Sequence, residues 1–180
     1  EPMAFSMSGE RADRPRRRSL ATTETKGEVP ALNPNLATLL SESAGKHPDR
    51  VAIRLDDIAI PYAALDMTSK LVAGLLASKG VKPGDRVGIM LPNVPHFPFV
   101  YYGALRLGAV VVPMNVLFTA REIKHYLSDS GANLIIAWQD FAPAAEEAAA
   151  ETGAEVISVS PENVGELIAG IEPFEGVAEV

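Results

Sequence analysis

The sequence predicts an α/β fold: a doubly wound, mainly parallel sheet with flanking helices and a small N-terminal β-hairpin. Three observations carry the prediction. Uncharged Val- and Ile-rich runs of strand length recur at 87–91, 109–113 and 133–138. Between them lie segments whose apolar residues repeat at helical spacing. Short turns at Gly80, Gly84, Gly108 and Gly131 join the two kinds of segment, an alternation that places the strands parallel with crossover helices.

In chain order, residues 1–34 mix Arg-Pro-Arg-Arg-Arg and Thr-Thr-Glu-Thr with no apolar period, and read as a disordered N-terminal arm. The folded domain is expected over 35–180. Leu36, Leu39, Leu40 and Ala44 mark a first helix, which Gly45 and Pro48 bring to an end. Residues 51–55 and 58–62 flank Asp56-Asp57 and predict a β-hairpin. Leu65, Leu71, Val72, Leu75 and Leu76 form one face of a helix ending near Gly80, with Lys79 at the negative end of its dipole.

A strand follows at 86–91, then a helix from about Pro95 to Leu107 with Pro at its start and Gly108 at its end. The next strand is 109–113. Thr119 and Glu122 have the spacing of a capping box, opening a helix that runs to about Ser130. Strand 133–138, an alanine-rich helix at 141–151, strand 155–158 and a short helix at 164–168 complete the pattern. No internal repeat is present.

Composition narrows the function classes. Hydrophobic residues make up 47% and charged residues 22%, the balance of an ordinary globular domain. No apolar run reaches the roughly 18 residues that a spanning helix needs, and no signal-peptide pattern is visible, so the expected location is cytoplasmic. The net charge is −7; residues 1–34 hold six Lys/Arg against five Asp/Glu, which leaves an acidic body. After Lys124 there is no Lys or Arg. An acidic body argues against nucleic acid as a partner. The cluster Arg14, Arg16, Arg17 and Arg18 leaves peripheral membrane contact open, with a solvated terminus as the plainer reading. With no cysteine, disulfides, thiol chemistry and thiolate zinc sites are excluded.

Familiar catalytic patterns are absent. There is no G-x-G-x-x-G, no G-x-x-x-x-G-K-[ST] and no G-x-S-x-G. The three histidines, His47, His96 and His125, are far apart and lack metal-ligand spacing. His47 is expected at a helix C-terminus and His125 on a helix surface. His96 follows a strand in the loop Pro92-Asn93-Val94-Pro95, where ligands of doubly wound sheets sit; the plainer expectation is a helix-start side chain facing solvent. Asp56/Asp57 read as a turn and Glu146/Glu147 as a solvated helix face. Phe97, Phe99, Tyr101 and Tyr102 suit core packing, with a wall for an apolar ligand as the alternative.

Several segments, in order, resemble the adenylate-forming enzymes, the superfamily of acyl-CoA synthetases, firefly luciferase and peptide-synthetase adenylation domains. Gly80-Val81-Lys82-Pro83-Gly84-Asp85-Arg86-Val87-Gly88-Ile89 is similar to the family's "GVxxGDRVAI". Leu91-Pro92-Asn93 follows. Arg106-Leu107-Gly108-Ala109-Val110-Val111-Val112-Pro113-Met114-Asn115 then resembles "KxGAxxxPxN", and Leu127-Ser128-Asp129-Ser130-Gly131-Ala132 also matches. Ile60-Pro61-Tyr62-Ala63-Ala64-Leu65 is similar to "TYxEL", departing at Pro61 and Ala64. The "LPN" and "PMN" forms look most like fatty-acyl or medium-chain CoA ligases.

The resemblance implies an enzyme that activates a carboxylate, such as a fatty acid, with ATP and Mg2+ to an acyl-adenylate, then transfers the acyl group to coenzyme A. It also implies that the Ser/Thr/Gly-rich phosphate loop, the nucleotide-binding segments and a C-terminal lysine lie beyond Val180. Residues 35–180 would then be the N-terminal subdomain, inactive alone. No position here matches a family catalytic, cofactor-binding or metal-binding residue, so none is assigned, and the substrate-binding residues stay unknown. The alternative is a stand-alone non-catalytic module of the same fold, a homodimer or a lipid-contacting relic.

Overall fold

The structure is a computed structural model that describes residues 35–180. The disordered arm expected over 1–34 lies outside the described residues. Helix α1 (Ala37–Lys46) leads into the hairpin β1 (Val51–Leu55) and β2 (Ile58–Pro61), which pair antiparallel. The turn between them holds Asp56 at φ +49°, in the left-handed region that short polar side chains tolerate. Helix α2 (Tyr62–Ser78) starts directly after Pro61. Then come β3 (Arg86–Met90), α3 (His96–Arg106), β4 (Val110–Pro113), α4 (Ala120–Ser130), β5 (Leu134–Trp138), a 3₁₀ turn at Gln139–Phe141, α5 (Ala142–Thr152), β6 (Glu155–Val159) and the short α6 (Val164–Leu167).

Strands β3 to β6 form one parallel sheet in the order β4-β3-β5-β6. Side chains alternate along each strand, so one strand feeds two cores. Val87 and Ile89 of β3, with Leu134, Ile136 and Trp138 of β5, pack under Val72, Ala73 and Leu76 of α2 and Val100 and Ala104 of α3. Met90, Ile135 and Ala137 face the other way, onto Ile123 and Leu127 of α4 and Ala142, Ala145 and Ala148 of α5. This is the doubly wound architecture expected from the sequence, with its antiparallel hairpin apart from the main sheet.

Coverage of the sheet and of α3 is uneven. Strand β4 is an edge, and its Val110 is 49% exposed, so only the central strands are closed on both faces. Helix α3 buries Val100, Gly103, Ala104 and Arg106, while Phe97, Phe99, Tyr101, Tyr102 and Leu105 are half-buried. The helix therefore has one buried face and an aromatic shoulder. Phe97, Phe99 and Tyr101 do pack against the core, as the simpler reading of the aromatic residues expects.

Glycine sets two of the tight features. At Gly103, an added Cβ would lie 2.6 Å from Val72 Cγ1, so α2 and α3 meet closely only because a hydrogen stands there. At Gly108 φ is +81°, the Ala109 N–H donates to the Ala104 carbonyl at 2.9 Å, and the Gly108 N–H donates to Leu105 at 2.9 Å. Those two bonds are the Schellman closure of a helix C-terminus. Because the Ala109 amide is spent on the helix end, the strand begins at Val110 rather than at 109.

The last segment, which the sequence left unassigned beyond residue 168, crosses α2 and α3. The Phe174 N–H donates to the Lys70 carbonyl at 3.0 Å, and the Ala178 N–H to the Arg106 carbonyl at 2.8 Å. Beneath it Arg106 is 1% exposed. Its Nη1 donates to the Gly176 carbonyl at 2.8 Å, its Nη2 to Asp66 Oδ1, and Nε and Nη2 both reach Ser69 Oγ at 3.3 Å. Lys70 lies 3.5 Å from Asp66 and 3.0 Å from Glu175. With Lys79–Glu155 at 2.5 Å and the Lys124–Glu151 pair, cations from the first part of the chain neutralise the acidic last part.

Replacing Gly108 with valine tests the helix end. A β-branched residue meets the left-handed penalty, and its Cβ would lie 3.0 Å from Ala178 Cβ and 3.1 Å from Pro83 Cβ. Gly108→Val is expected to destabilise by more than ~1 kcal/mol in denaturant melts; an unchanged midpoint would contradict the assignment.

Candidate functional site

An open parallel sheet offers a ligand crevice beyond the carboxyl ends of its strands, where successive connections leave for opposite faces. In this order the switch falls between β3 and β5: α3, which follows β3, covers one face, and α5, which follows β5, covers the other. The residues at this place are the loop 91–95 with His96, the end of β5 at Trp138 with the 3₁₀ turn after it, and the flanking loops after β4 and β6.

His96 differs from expectation. It does not stand in solvent; it is half-buried, with its ring edge-on to Trp138 at 5.3 Å and to Phe99 at 6.0 Å. Its Nδ1 is buried without a hydrogen-bond partner. Burial pushes the His96 pKa below its ordinary 6.5. The physical reason for the difference is the turn at Val94–Pro95, where the Phe97 N–H donates to the Val94 carbonyl at 3.0 Å. That turn aims the first helical side chain across the strand ends instead of outward.

Most polar groups around these tips are occupied in shaping the chain. Asn115 Oδ1 accepts from the Leu117 N–H at 2.9 Å. Asn163 Oδ1 accepts from the Ser160 N–H at 2.8 Å, Asn163 Nδ2 donates to the Ser158 carbonyl at 3.0 Å, and Ser160 Oγ accepts from the Glu162 and Asn163 amides. The Thr119 capping box forms as its spacing predicts, with the Thr119 N–H donating to Glu122 Oε2 at 2.8 Å. These bonds from the Thr119 backbone and hydroxyl hold the Glu122 carboxyl below its usual range.

The other candidates stay apart. His47 caps the end of α1, and His125 is exposed on α4 against Tyr126. Asp56 and Asp57 form the hairpin turn, and Glu146 and Glu147 are solvated on α5. Among the described residues no group of three or more His, Cys, Asp or Glu side chains could hold a metal ion. A polar hollow of about 150 Å³ between Lys79, Arg86 and Glu155 lies at the opposite, amino ends of the strands. A more apolar groove of about 400 Å³ runs beside β4, past Tyr101, Leu105, Val110 and Val111. Sequence reasoning missed the Arg106 cluster; the available signal was a lone cation on an otherwise apolar helix.

The family profile of AMP-binding enzymes matches residues 40–175. The chain belongs to the AMP-binding enzyme family. It is 36% identical over 131 residues to a long-chain-fatty-acid–CoA ligase of Salmonella typhimurium, covering 69% of this chain and 23% of that protein. A long-chain-fatty-acid–CoA ligase of Bacillus subtilis is 35% identical over 109 residues, covering 61% of this chain and 20% of its own length. The chain thus spans about a fifth to a quarter of these relatives. Among solved structures, the N-terminal domain of FACL13 from Mycobacterium tuberculosis superposes with a TM-score of 0.72 at 28% identity, over 81% of this chain and 38% of that one. A benzoate CoA ligase from Burkholderia xenovorans LB400 gives 0.75 at 25% identity, over 81% and 30%. The family's α/β fold, expected from the motifs, is confirmed.

The capping box yields a pH prediction. Glu122 is held ionised in the fold, so its contribution is complete above its unfolded value near 4.5 and fades as pH falls through the lower folded value. Glu122→Gln keeps the shape of the box and removes the charge. The variant is expected to be less stable than the parent at pH 7, with the gap closing below about pH 4.5. Urea melts across that range check it; a constant gap would contradict the role of the charge.

Proposed function

We propose that residues 35–180 are the N-terminal α/β subdomain of a cytoplasmic fatty-acid–CoA ligase. The complete enzyme would form an acyl-adenylate from a fatty acid and ATP, then pass the acyl group to coenzyme A. The observation that carries this reading is the family match over 40–175, joined to identities of 35–36% with long-chain-fatty-acid–CoA ligases.

The described residues do not fit the role of holding Mg2+ and ATP. The Asn115, Ser160 and Asn163 side chains at the strand ends are engaged in turns, and the acidic side chains are not gathered into a donor set. No chemical step is therefore assigned to this chain. Its proposed part in the enzyme is structural: it presents the β3 and β5 ends as one wall and lends the apolar groove beside β4 as a surface for further protein. Transition-state stabilisation at phosphorus, which depends on preorganised donors and cations, would come from other segments.

The test is a pair of assays. The 180-residue chain alone, with ATP, Mg2+ and a long-chain fatty acid, is expected to release no pyrophosphate above background. A chimera carrying residues 35–180 in place of the matching segment of the Salmonella typhimurium ligase is expected to make acyl-CoA. Pyrophosphate release by the chain alone, dependent on both substrates, or a soluble chimera that makes none, would contradict the proposal.

A further inference from the structure

The hairpin stands apart from the main sheet, and the helices behind it do not close onto it. A hollow of about 400 Å³ remains between α1, β1, α2 and α3, at the lower end of the size range of small-molecule sites. Its apolar walls include Leu40 of α1, Ala52 and Ile53 of β1 and Leu65 of α2. Neighbours on a regular strand face opposite sides, yet Ala52 and Ile53 both line this space. The strand pairing explains it. Val51 lies opposite Pro61 and Ile53 opposite Ile60, so Ala52 is the extra residue of a β-bulge. The residue that the bulge adds to the wall is an alanine, whose small side chain leaves the space open.

Three hydroxyl-bearing side chains complete the lining: Ser43 of α1, Tyr62 at the start of α2 and Tyr102 of α3. None of these hydroxyls bonds to another described group of the protein, and none is sealed from outside. Burial, then the neighbouring Tyr101 and Tyr62 phenols, push the Tyr102 hydroxyl above its ordinary 10.0, so it stays a proton donor at neutral pH. No charged residue lines the space. Lys46 is paired with Glu42 in solvent, and Arg54 is exposed on β1. An ionised ligand would lose water there without gaining a counter-ion.

We propose that this hollow is a binding site for an uncharged, single-chain aliphatic molecule ending in a hydroxyl or carbonyl. The chain lies against Leu40, Ile53 and Leu65, and the polar end bonds to the Tyr62 and Tyr102 hydroxyls. Occupancy fills the gap at the Ala52 bulge and joins the hairpin to the helices. Without it, the backbone bonds at the start of α2 are the Tyr62 N–H to the Arg50 carbonyl at 2.9 Å and the Ala63 N–H to the Pro48 carbonyl at 3.1 Å.

The probe is nonan-1-ol, titrated at about pH 7.5 into the 180-residue chain carrying 13C-labelled alanine and isoleucine methyl groups. Saturable shifts of the Ala52 and Ile53 methyl signals are expected. Sodium decanoate, ionised at that pH, is expected to shift neither at the same concentration. The double variant Tyr62→Phe/Tyr102→Phe keeps the walls and should weaken nonan-1-ol binding about fivefold, the loss of roughly one net hydrogen bond. Ala52→Leu fills the hollow and should abolish the saturable shift at Ile53. Methyl dispersion shows which variants fold, and the phenylalanine variant decides the matter if Ala52→Leu does not. No saturable shift at Ala52 and Ile53, equal shifts with decanoate, or unchanged affinity in a folded variant would overturn the proposal.

Discussion

A single buried guanidinium ties this structure together. Arg106 ends α3, yet its side chain is 1% exposed and spans three separate parts of the chain: Asp66 and Ser69 on α2, and the Gly176 carbonyl of the final segment. A buried ion pair gives little net stability over a well-packed apolar substitute, but removing one partner leaves a stranded charge, which costs about 3–5 kcal/mol. The consequence is positional. The planar fork of donors fixes the register of α2 against α3 and the path of residues 174–178 over both. Gly103 against Val72, and Gly74 beneath the Glu172 carbonyl, permit the close approach that this register demands.

From that fixed helix layer the sheet inherits its order. α3 is held by Arg106 at its end and by His96 at its start, so β3 and β4 emerge at set positions beneath it, and β5 inserts on the other side of β3. The switch between β3 and β5 follows, and with it the contact of His96 with Trp138 at the strand ends. Polar side chains at the neighbouring tips hold loop shape through bonds to the backbone. This makes the tips a rigid wall, as the supporting role proposed above requires.

The legible part of the fold was the part governed by local rules. The Gly108 helix end, the Thr119–Glu122 capping box, the Asp56-Asp57 turn and the uncharged β3 and β5 runs each follow from residues within a few positions of one another, and each was placed within a residue or two. The motifs 80–89 and 106–115 identified the family because several of them occur in order. What stayed hidden depends on contacts between distant parts of the chain. Arg106 meets Asp66 across 40 positions and Gly176 across 70, distances at which no periodicity speaks. His96 was read as solvent-facing because helix-start residues usually are; the aromatic wall that covers it comes from Trp138, two strands later. The sheet order, which decides that β4 is an edge, is likewise a tertiary fact.

The most direct measurement is amide hydrogen exchange on Arg106→Met, which keeps most of the side-chain volume and removes the fork. If Arg106 holds the final segment on the helix layer, protection at the Phe174 and Ala178 amides should collapse toward that of an open chain, while the β3 and β5 amides exchange only by global unfolding. Protection at Phe174 and Ala178 equal to that of the parent chain, with global stability unchanged, would show that backbone bonds suffice and that Arg106 is not the constraint on which the fold depends.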